Sequence, residues 1–174
     1  KILENLNNSM EIPITENSNI CIISAGPASE LKGILDFSKT IKISSFRNMK
    51  FSLVDRVDWK STRMIIKQAL NDYLGKDNVP EIKEVTADIL SEPMILDTNY
   101  DLIFFQNCIN EYVSQKQNSE VISCISKIIE KLNPQGLAIF SERASYKGMN
   151  SFFNELKEAE NTNIIELIQE EIPK

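Results

Sequence analysis

The apolar residues of this chain fall into two patterns that alternate along the sequence. Short continuous apolar runs predict β-strands that are buried on both faces. Between these runs, apolar residues recur at three- and four-residue spacing, which predicts amphipathic helices. The runs predict strands at about residues 20–24, 50–55, 81–87, 101–105, 137–140 and 164–168, and the helical spacing predicts helices at about 29–38, 61–74, 118–132 and 149–160.

Some single residues predict where these elements begin and end. The helix at 61–74 has Ser61 as its expected N-cap and Gly75 just past its end. Its expected buried stripe consists of Met64, Ile65, Ala69 and Leu70. Residues 133–136, of sequence NPQG, predict a turn before the strand at 137–140.

The alternation of strands and helices predicts one α/β domain that spans residues 1–174. Short connections between such elements indicate a doubly wound, mostly parallel sheet with helices on both faces. Residues 1–18 form an expected lead-in, with a short amphipathic helix at 2–10 followed by a loop. The chain starts at Lys1 rather than at a methionine, so we expect a trimmed chain or one domain of a longer protein.

Composition excludes several kinds of active site and metal site but says little about the fold. The chain has 174 residues, of which 42% are apolar and 25% charged, as in an ordinary globular protein. It contains no histidine, which excludes a Ser-His-Asp triad, a histidine base or a histidine metal ligand within it. The three cysteines lack paired metal spacing, so no metal is expected. Their odd number, the lack of a secretory signal and the lack of a long apolar run favour a reducing, cytoplasmic setting.

Charge is unevenly distributed along the chain. The net charge is −6, which argues against a surface that coats nucleic acid generally. Residues 31–68 nevertheless contain nine Lys or Arg and three Asp, a net of +6. This basic segment is either an ordinary solvated part of two helices or a local patch for an anionic partner such as RNA.

One segment predicts a ligand site. The apolar run at 20–23 is followed by a turn of small residues, 24–29 (sequence SAGPAS), and then by a helical pattern. The amide groups of such a helix end point outward, and small residues allow a ligand to approach the backbone. Asp55 ends the second apolar run, where an acidic residue would meet ribose hydroxyls. The two features together predict a nucleotide site.

The order of these motifs resembles that of the class I S-adenosylmethionine-dependent methyltransferases, over about residues 15–170. The turn at 24–29 and Asp55 are the first two matches, and segment 86–89 (TADI) fits the third. Segment 101–107 (DLIFFQN) fits the fourth strand of that family. Segment 132–137 (LNPQGL) is similar to its Leu-x-Pro-Gly-Gly turn, with Gln135 in place of a glycine.

The resemblance implies a Rossmann-like methyltransferase fold and S-adenosylmethionine as cofactor, with S-adenosylhomocysteine as product. In that family the first turn holds the methionine part, the acid after strand two the ribose, and the acid after strand three the adenine. The implied cofactor-binding residues are Ser24, Ala25, Gly26, Asp55, Arg56, Asp88, Ile89 and Gln106. The candidates for the cleft where methyl donor and acceptor meet are Gln106, Asn107, Asn110 and Glu111.

The sequence leaves alternatives open. Ile22, Ser24 and Ala28 stand where the family usually has an acid and two glycines, which also fits a methyltransferase-like module that lacks activity and serves a larger protein or complex. A nicotinamide-dependent oxidoreductase ranks last because the spaced glycines of a dinucleotide fingerprint are missing. Segment 54–59 is similar to ribosomal-RNA methyltransferases of the same fold, and with the basic segment it makes RNA the first acceptor to consider. Whether the last strand of the fold is present stays open.

Overall fold

The structure is a computed structural model that describes residues 2–8, 10–96, 98–143, 149–159 and 164–169. The strands are β1 (Asn19–Ile23), β2 (Lys50–Asp55), β3 (Glu81–Thr86), β4 (Tyr100–Gln106), β5 (Leu132–Arg143) and β6 (Ile164–Gln169). The helices are α1 (Ile2–Asn7), α2 (Ser29–Thr40), α3 (Lys60–Leu74), α4 (Ile109–Gln115), α5 (Asn118–Ile129) and α6 (Met149–Ala159). Two short 3₁₀ helices lie at Lys76–Asn78 and Pro93–Ile95.

The strands form one sheet in the order β3-β2-β1-β4-β5-β6, and every neighbouring pair is parallel. The first five strands have the 3-2-1-4-5 order of a Rossmann-like methyltransferase sheet, and β6 adds a parallel strand beside β5. The chain order reverses between β1 and β4. In such sheets, ligands bind beyond the carboxyl ends of the strands at this switch point. The predicted doubly wound α/β fold is confirmed.

The sheet separates two apolar cores, because alternate side chains of each strand point to opposite faces. One core joins β1 residues such as Ile20 and Ile22 to apolar residues of α1, α2 and α3. The other joins Cys21 and Ile23 to apolar residues of α4, α5 and α6. In the second core, the rings of Phe105 and Phe140 stack with centroids 4.4 Å apart. Both faces of the central strands are therefore covered.

Helix α3 differs from the prediction in its start and in its buried face. Lys60 is its first residue, and the backbone N–H of Lys60 donates to Asp58, so the prediction of Ser61 as N-cap was wrong. Met64 and Ile65 were predicted to be buried but are 64% and 70% exposed, whereas Arg63 is buried. Leu70 is buried as predicted. The helix is thus rotated by about one position from the orientation that hydrophobicity alone predicts.

Strand β5 is longer than predicted and contains the segment that was predicted to be a turn. Tyr100 of β4 is paired with Leu132, and Leu102 is then paired with Leu137, so residues 133–136 form an irregularity within the strand. Gly136 makes this possible, because an added Cβ would lie 2.9 Å from the carbonyl oxygen of Tyr100. The prediction of a turn before a strand at 137–140 was therefore wrong in its boundaries.

The remaining predicted elements lie within a few residues of the observed ones. Helix α4 was not predicted, because residues 107–117 are mostly polar and show little apolar spacing. Ser9 and Glu160 belong to predicted helices but lie outside the described residues. None of the helices in the described ranges is long and apolar enough to cross a membrane.

Candidate functional site

A cavity of about 360 Å³ lies beyond the carboxyl ends of β1, β2 and β4. Its position is the switch point of the sheet, where connections leave opposite faces and open a crevice. The volume falls in the range that small-molecule sites occupy. Nearly all of the sequence-predicted site residues line this cavity: Ser24, Ala25, Gly26, Asp55, Arg56, Asp88, Ile89, Gln106, Asn107 and Glu111.

The turn between β1 and α2 forms one wall of the cavity. Three of its residues have left-handed backbone: Ser24 with φ 56°, Gly26 with φ 48° and Ala28 with φ 70°. This conformation costs an L-residue roughly 1–2 kcal/mol, whereas glycine adopts it freely. The chain thus keeps the backbone shape of a glycine-rich turn at two positions that lack glycine. Such strain persists only where the surrounding structure holds it in place, and it is most frequent at functional sites.

Asp55 joins this turn to the end of β2. Its Oδ2 accepts the backbone N–H of Gly26 at 2.8 Å, and its Oδ1 accepts that of Val57 at 2.9 Å. These two backbone contacts hold the carboxylate, and the one to Val57 caps the segment that follows β2. Each carboxylate oxygen has a further lone pair. Asp55 can therefore accept two more donors, such as a vicinal diol, without losing its present contacts.

A salt bridge joins the two sides of the cavity. Arg56, just after β2, donates from Nη2 to the Oε2 of Glu111 in α4 at 3.1 Å. Both side chains are about half exposed, so solvent weakens this pair considerably. The other charged residues lining the cavity are Glu30, Asp55 and Asp88. With four carboxylates and one guanidinium, the lining favours a ligand that carries positive charge.

The side of the cavity below β2 and β3 combines apolar and polar groups. Ile89 is buried and lines the cavity, whereas Asp88 is exposed and its Oδ1 accepts the N–H of Leu90 at 3.0 Å. Trp59 also lines the cavity, and its buried Nε1 has no hydrogen-bond partner among the described residues. Its position in the lining, with Asp55 and Ile89, makes Trp59 part of the site.

The end of β4 forms the opposite side. Gln106 and Asn107 are half-buried, and the backbone N–H of Asn107 donates to Ser141 at 2.8 Å. Asn107 has a left-handed φ of 50°, which asparagine tolerates better than most residues. In the described part of the chain its Oδ1 is buried without a partner. Asn110, the remaining predicted cleft residue, does not line the cavity.

Two residues of the cavity floor were missed by the sequence analysis. The hydroxyl of Tyr112 lies 2.8 Å from the Oγ of Ser24, and Cys108 lies beside both. Burial raises the pKa of the Cys108 thiol to about 12 and also raises the pKa of Tyr112, so both stay neutral. The helical spacing of Ile109 and Tyr112 was the one sequence signal that could have placed them here.

Comparison with solved structures finds chains of similar fold. No family model matches the chain, and no curated protein matches it. A solved structure described as a "putative rRNA-methylase" from Clostridium thermocellum matches with a TM-score of 0.59 over 92% of this chain and 80% of that chain, at 12% sequence identity. The chain has the methyltransferase fold. At this identity, the match establishes the fold alone.

The cavity of this methyltransferase fold fits S-adenosylmethionine on three observations. Asp55 retains lone pairs for a ribose diol. Within the described ranges, the buried Trp59 Nε1 and Asn107 Oδ1 lack hydrogen-bond partners, although such atoms are normally paired, and both residues line the cavity. The excess of carboxylates matches the positive charge of a sulfonium. The residues that would hold the group are those of the turn at 24–28 together with Asp55, Trp59 and Ile89.

Proposed function

We propose that this chain is an S-adenosylmethionine-dependent methyltransferase. The observation that carries the proposal is the meeting of the left-handed turn at 24–28 with Asp55 in one cavity at the switch point. The turn supplies a backbone surface that a ligand can approach closely, and Asp55 supplies acceptors for hydroxyl donors. In a sheet with the methyltransferase strand order, this pairing supports a nucleoside cofactor.

The proposed methyl transfer needs few catalytic side chains. When bound, the cofactor supplies a methyl group that its positive sulfur already activates. The protein's task is to hold donor and acceptor in line and to exclude water, which is catalysis by orientation. The four carboxylates of the lining favour the positive charge, and Gln106 and Asn107 offer neutral hydrogen-bonding groups at the end of β4. The absence of histidine is therefore compatible with the proposed reaction.

RNA is the acceptor class that we propose. The basic segment 31–68 supports it, and so does the description of the Clostridium thermocellum protein as an rRNA-methylase. Carboxylates elsewhere neutralise part of the segment, since Lys50 pairs with Glu81 and Lys67 with Glu84. The basic residues of the segment for which the described structure gives no ion pair are Lys39, Lys42, Arg47 and Lys60. RNA contact through these four would be weak and sensitive to salt.

Calorimetric titration with S-adenosylhomocysteine tests the cofactor. We expect the wild-type chain to bind at about micromolar Kd, which is roughly −8 kcal/mol. Asp55→Ala removes two acceptors for the ribose and should weaken binding by about tenfold or more, because hydrogen bonds to charged groups contribute about 1.5–3 kcal/mol. Asp58→Asn is the matched control, since Asp58 is exposed, contacts Lys60 and does not line the cavity.

The outcomes distinguish the methyltransferase from the inactive methyltransferase-like module. Tight binding that is lost in Asp55→Ala and kept in Asp58→Asn supports the methyltransferase. A folded wild-type chain that fails to bind contradicts it and favours the inactive module. Circular dichroism of both variants confirms that a lost affinity is not a lost fold.

The acceptor is tested separately with cofactor that carries a labelled methyl group. Unmodified ribosomal RNA made by transcription and a protein extract are offered in parallel, at low and at high salt. Label in RNA that decreases at high salt and is absent with Asp55→Ala supports RNA as acceptor. Label in protein alone would contradict RNA and leave the methyltransferase proposal intact.

A further inference from the structure

Helix α3 buries an arginine and exposes two apolar residues. The side chain of Arg63 is 2% exposed, whereas Met64 and Ile65 are 64% and 70% exposed. Arginine is among the residues that are least often buried, so this arrangement reverses the usual preference. Burial lowers the pKa of Arg63, and the charge of Glu84 opposes that effect. The contacts that Arg63 makes must offset the free-energy cost of burying its charge and of exposing the two apolar side chains.

The contacts of Arg63 lead to the wall of the cavity. Its Nε donates to the carbonyl oxygen of Gly26 at 3.0 Å, and its Nη1 lies 3.5 Å from the carbonyl oxygen of Leu53. The Nη1 is also 3.8 Å from the carboxylate of Glu84, but Lys67 pairs with that carboxylate at 2.5 Å. Glu84 thus has another cation, whereas Arg63 alone contacts the carbonyl oxygens of Gly26 and Leu53, and the contact to Gly26 is the shorter of the two.

Gly26 is held from two sides. Its N–H donates to Asp55 and its carbonyl accepts from Arg63, so both backbone polar groups of this residue are fixed by side chains from other elements. Its neighbours Ser24 and Ala28 have left-handed backbone that their side chains disfavour. A turn of this kind relaxes unless the surrounding structure holds it. Asp55 and Arg63 supply that restraint at its centre.

We propose that Arg63 is a positioning residue that holds the turn at 24–28 in the shape that meets the ligand. The contact of Arg63 with Gly26 places a charged side chain in the interior and leaves Met64 and Ile65 exposed to solvent. The inference rests on the proposed function in that the ligand is the methyltransferase cofactor. The restraint on Gly26 itself does not depend on which ligand binds.

The test compares Arg63→Met with Lys67→Met. Both substitutions remove one cation that pairs with Glu84, but only the first removes the contact to Gly26. Three quantities are measured on each variant: the thermal midpoint of unfolding, the Kd for S-adenosylhomocysteine, and the hydrogen-exchange rate of the Gly26 amide by NMR. Exchange of this amide reports the opening of the turn without any ligand.

We expect Arg63→Met to weaken S-adenosylhomocysteine by roughly tenfold and to accelerate exchange of the Gly26 amide by a similar factor, because one charged hydrogen bond is lost. Its thermal midpoint should fall by about a few degrees, because the Gly26 carbonyl loses its donor while an apolar side chain replaces a buried charge. Lys67→Met should leave the affinity and the Gly26 exchange unchanged. Unchanged affinity and exchange in Arg63→Met would overturn the proposal, as would a large loss of stability with exchange raised equally at all amides.

Two further measurements distinguish a failure of this proposal from a failure of the proposed function or of folding. If the wild-type chain does not bind S-adenosylhomocysteine, the proposed function fails, while the Gly26 exchange still decides the role of Arg63. If Arg63→Met does not fold, Arg63→Lys retains the charge without the guanidinium fork and should show the same faster exchange at Gly26. Unchanged exchange in that variant would refute the restraint.

A glycine in the turn should rescue the lost contact. Glycine adopts the left-handed conformation at position 28 without strain. We therefore expect Arg63→Met combined with Ala28→Gly to bind S-adenosylhomocysteine more tightly than Arg63→Met alone and to exchange Gly26 more slowly. A double variant that matches Arg63→Met in both quantities would contradict the role assigned to strain.

Discussion

Single residues decide the backbone at two places in this molecule. Around the cavity, Ser24, Gly26, Ala28 and Asn107 hold left-handed backbone, and glycine stands at just one of these four positions. In β5, Gly136 is required for the opposite reason, because a neighbouring backbone comes too close for any side chain. The first case is a conformational demand that other residues can meet at a cost. At Gly136 the demand is steric, and no residue with a side chain fits unless the backbone moves.

Gly136→Ala should therefore be clearly destabilising. The added Cβ would lie 2.9 Å from the carbonyl oxygen of Tyr100 and 3.0 Å from that of Asn133, and backbone atoms cannot move aside cheaply. We expect a loss of about 1–3 kcal/mol, or roughly 5 °C in the thermal midpoint. Gly33→Ala is the control, because an added Cβ there meets nothing within 4 Å and alanine favours the helix. Equal effects of the two substitutions would contradict the steric argument.

At this scale the sequence predicts some site residues and misses others for physical reasons. Asp55 and Gly26 were predictable because the strand, turn and acid occur in a recognisable order. Arg63 was not, since an arginine in an amphipathic helix is normally expected in solvent. The left-handed backbone of Ser24 was also beyond prediction, because it depends on contacts with residues far along the chain.

At the scale of elements, α3 and α4 show what hydrophobic spacing cannot predict. The orientation of α3 depends on the polar contact of Arg63 with Gly26, which outweighs burial of Met64 and Ile65. Helix α4 is short and polar, so its period is hardly visible, and its start is fixed by a buried carboxylate from β5. Longer elements with many apolar residues were predicted better: β4 was predicted to within one residue at each end, and α5 from its correct start but three residues too long. Elements that depend on tertiary contacts were the ones predicted with error.

The junction of β5 and α4 gives a prediction on pH. Glu142 is fully buried, and its Oε1 accepts the N–H of Ile109 at 2.6 Å. Burial raises the pKa of Glu142 although this hydrogen bond acts to lower it. A raised pKa means that the folded state favours the neutral acid. The resulting stability is complete below the unfolded-state pKa and is lost as pH rises through the folded-state pKa.

Glu142→Gln keeps the acceptor oxygen and removes the titration. We expect the free energy of unfolding of the wild-type chain to fall more steeply above pH 4.5 than that of this variant. Urea unfolding at several pH values measures both curves. Glu130→Gln, at an exposed position just after α5, is the control and should follow the wild-type curve. Parallel curves for the wild-type chain and Glu142→Gln would show that Glu142 does not carry this dependence.

At the scale of the whole molecule, one sheet supports two cores and places the cavity at its switch point. This architecture was the most predictable part, because alternating strands and helices with short connections have few arrangements that bury both faces of the sheet. The position of the cavity follows from the strand order. Its lining does not follow in full, since Tyr112 and Cys108 reach it through a helix that the sequence did not reveal.

The three cysteines are buried to different degrees, so the reaction rates of their thiols measure how easily different parts of the fold open. Cys124 is partly exposed, Cys108 lies under the cavity, and Cys21 is fully buried in the central strand. Burial raises the pKa of Cys21 and Cys108, which slows their reaction further.

With iodoacetamide we expect Cys124 to react first, Cys108 next and Cys21 last. Reaction of Cys21 requires global unfolding, so it should be at least about a thousandfold slower than in urea, given a stability of about 5 kcal/mol or more. Peptide mass spectrometry follows each site, and the urea-denatured chain, in which all three react, is the control. Labelling of Cys21 as fast as Cys124 would contradict the packing of the central strand.

The pairing of β1 with β4 also governs how the molecule is assembled during synthesis. Asn19 at the start of β1 bonds to Asp101 across 82 positions of the chain, and the ladder from Ile20 to Ile23 follows the same span. A nascent chain that ends after β3 can pair β1 on one side only. Until β4 leaves the ribosome, the central strand is an open sheet edge, and such edges recruit strands of other chains. The interval between the synthesis of β3 and β4 is therefore when this strand edge is open to pairing with other chains.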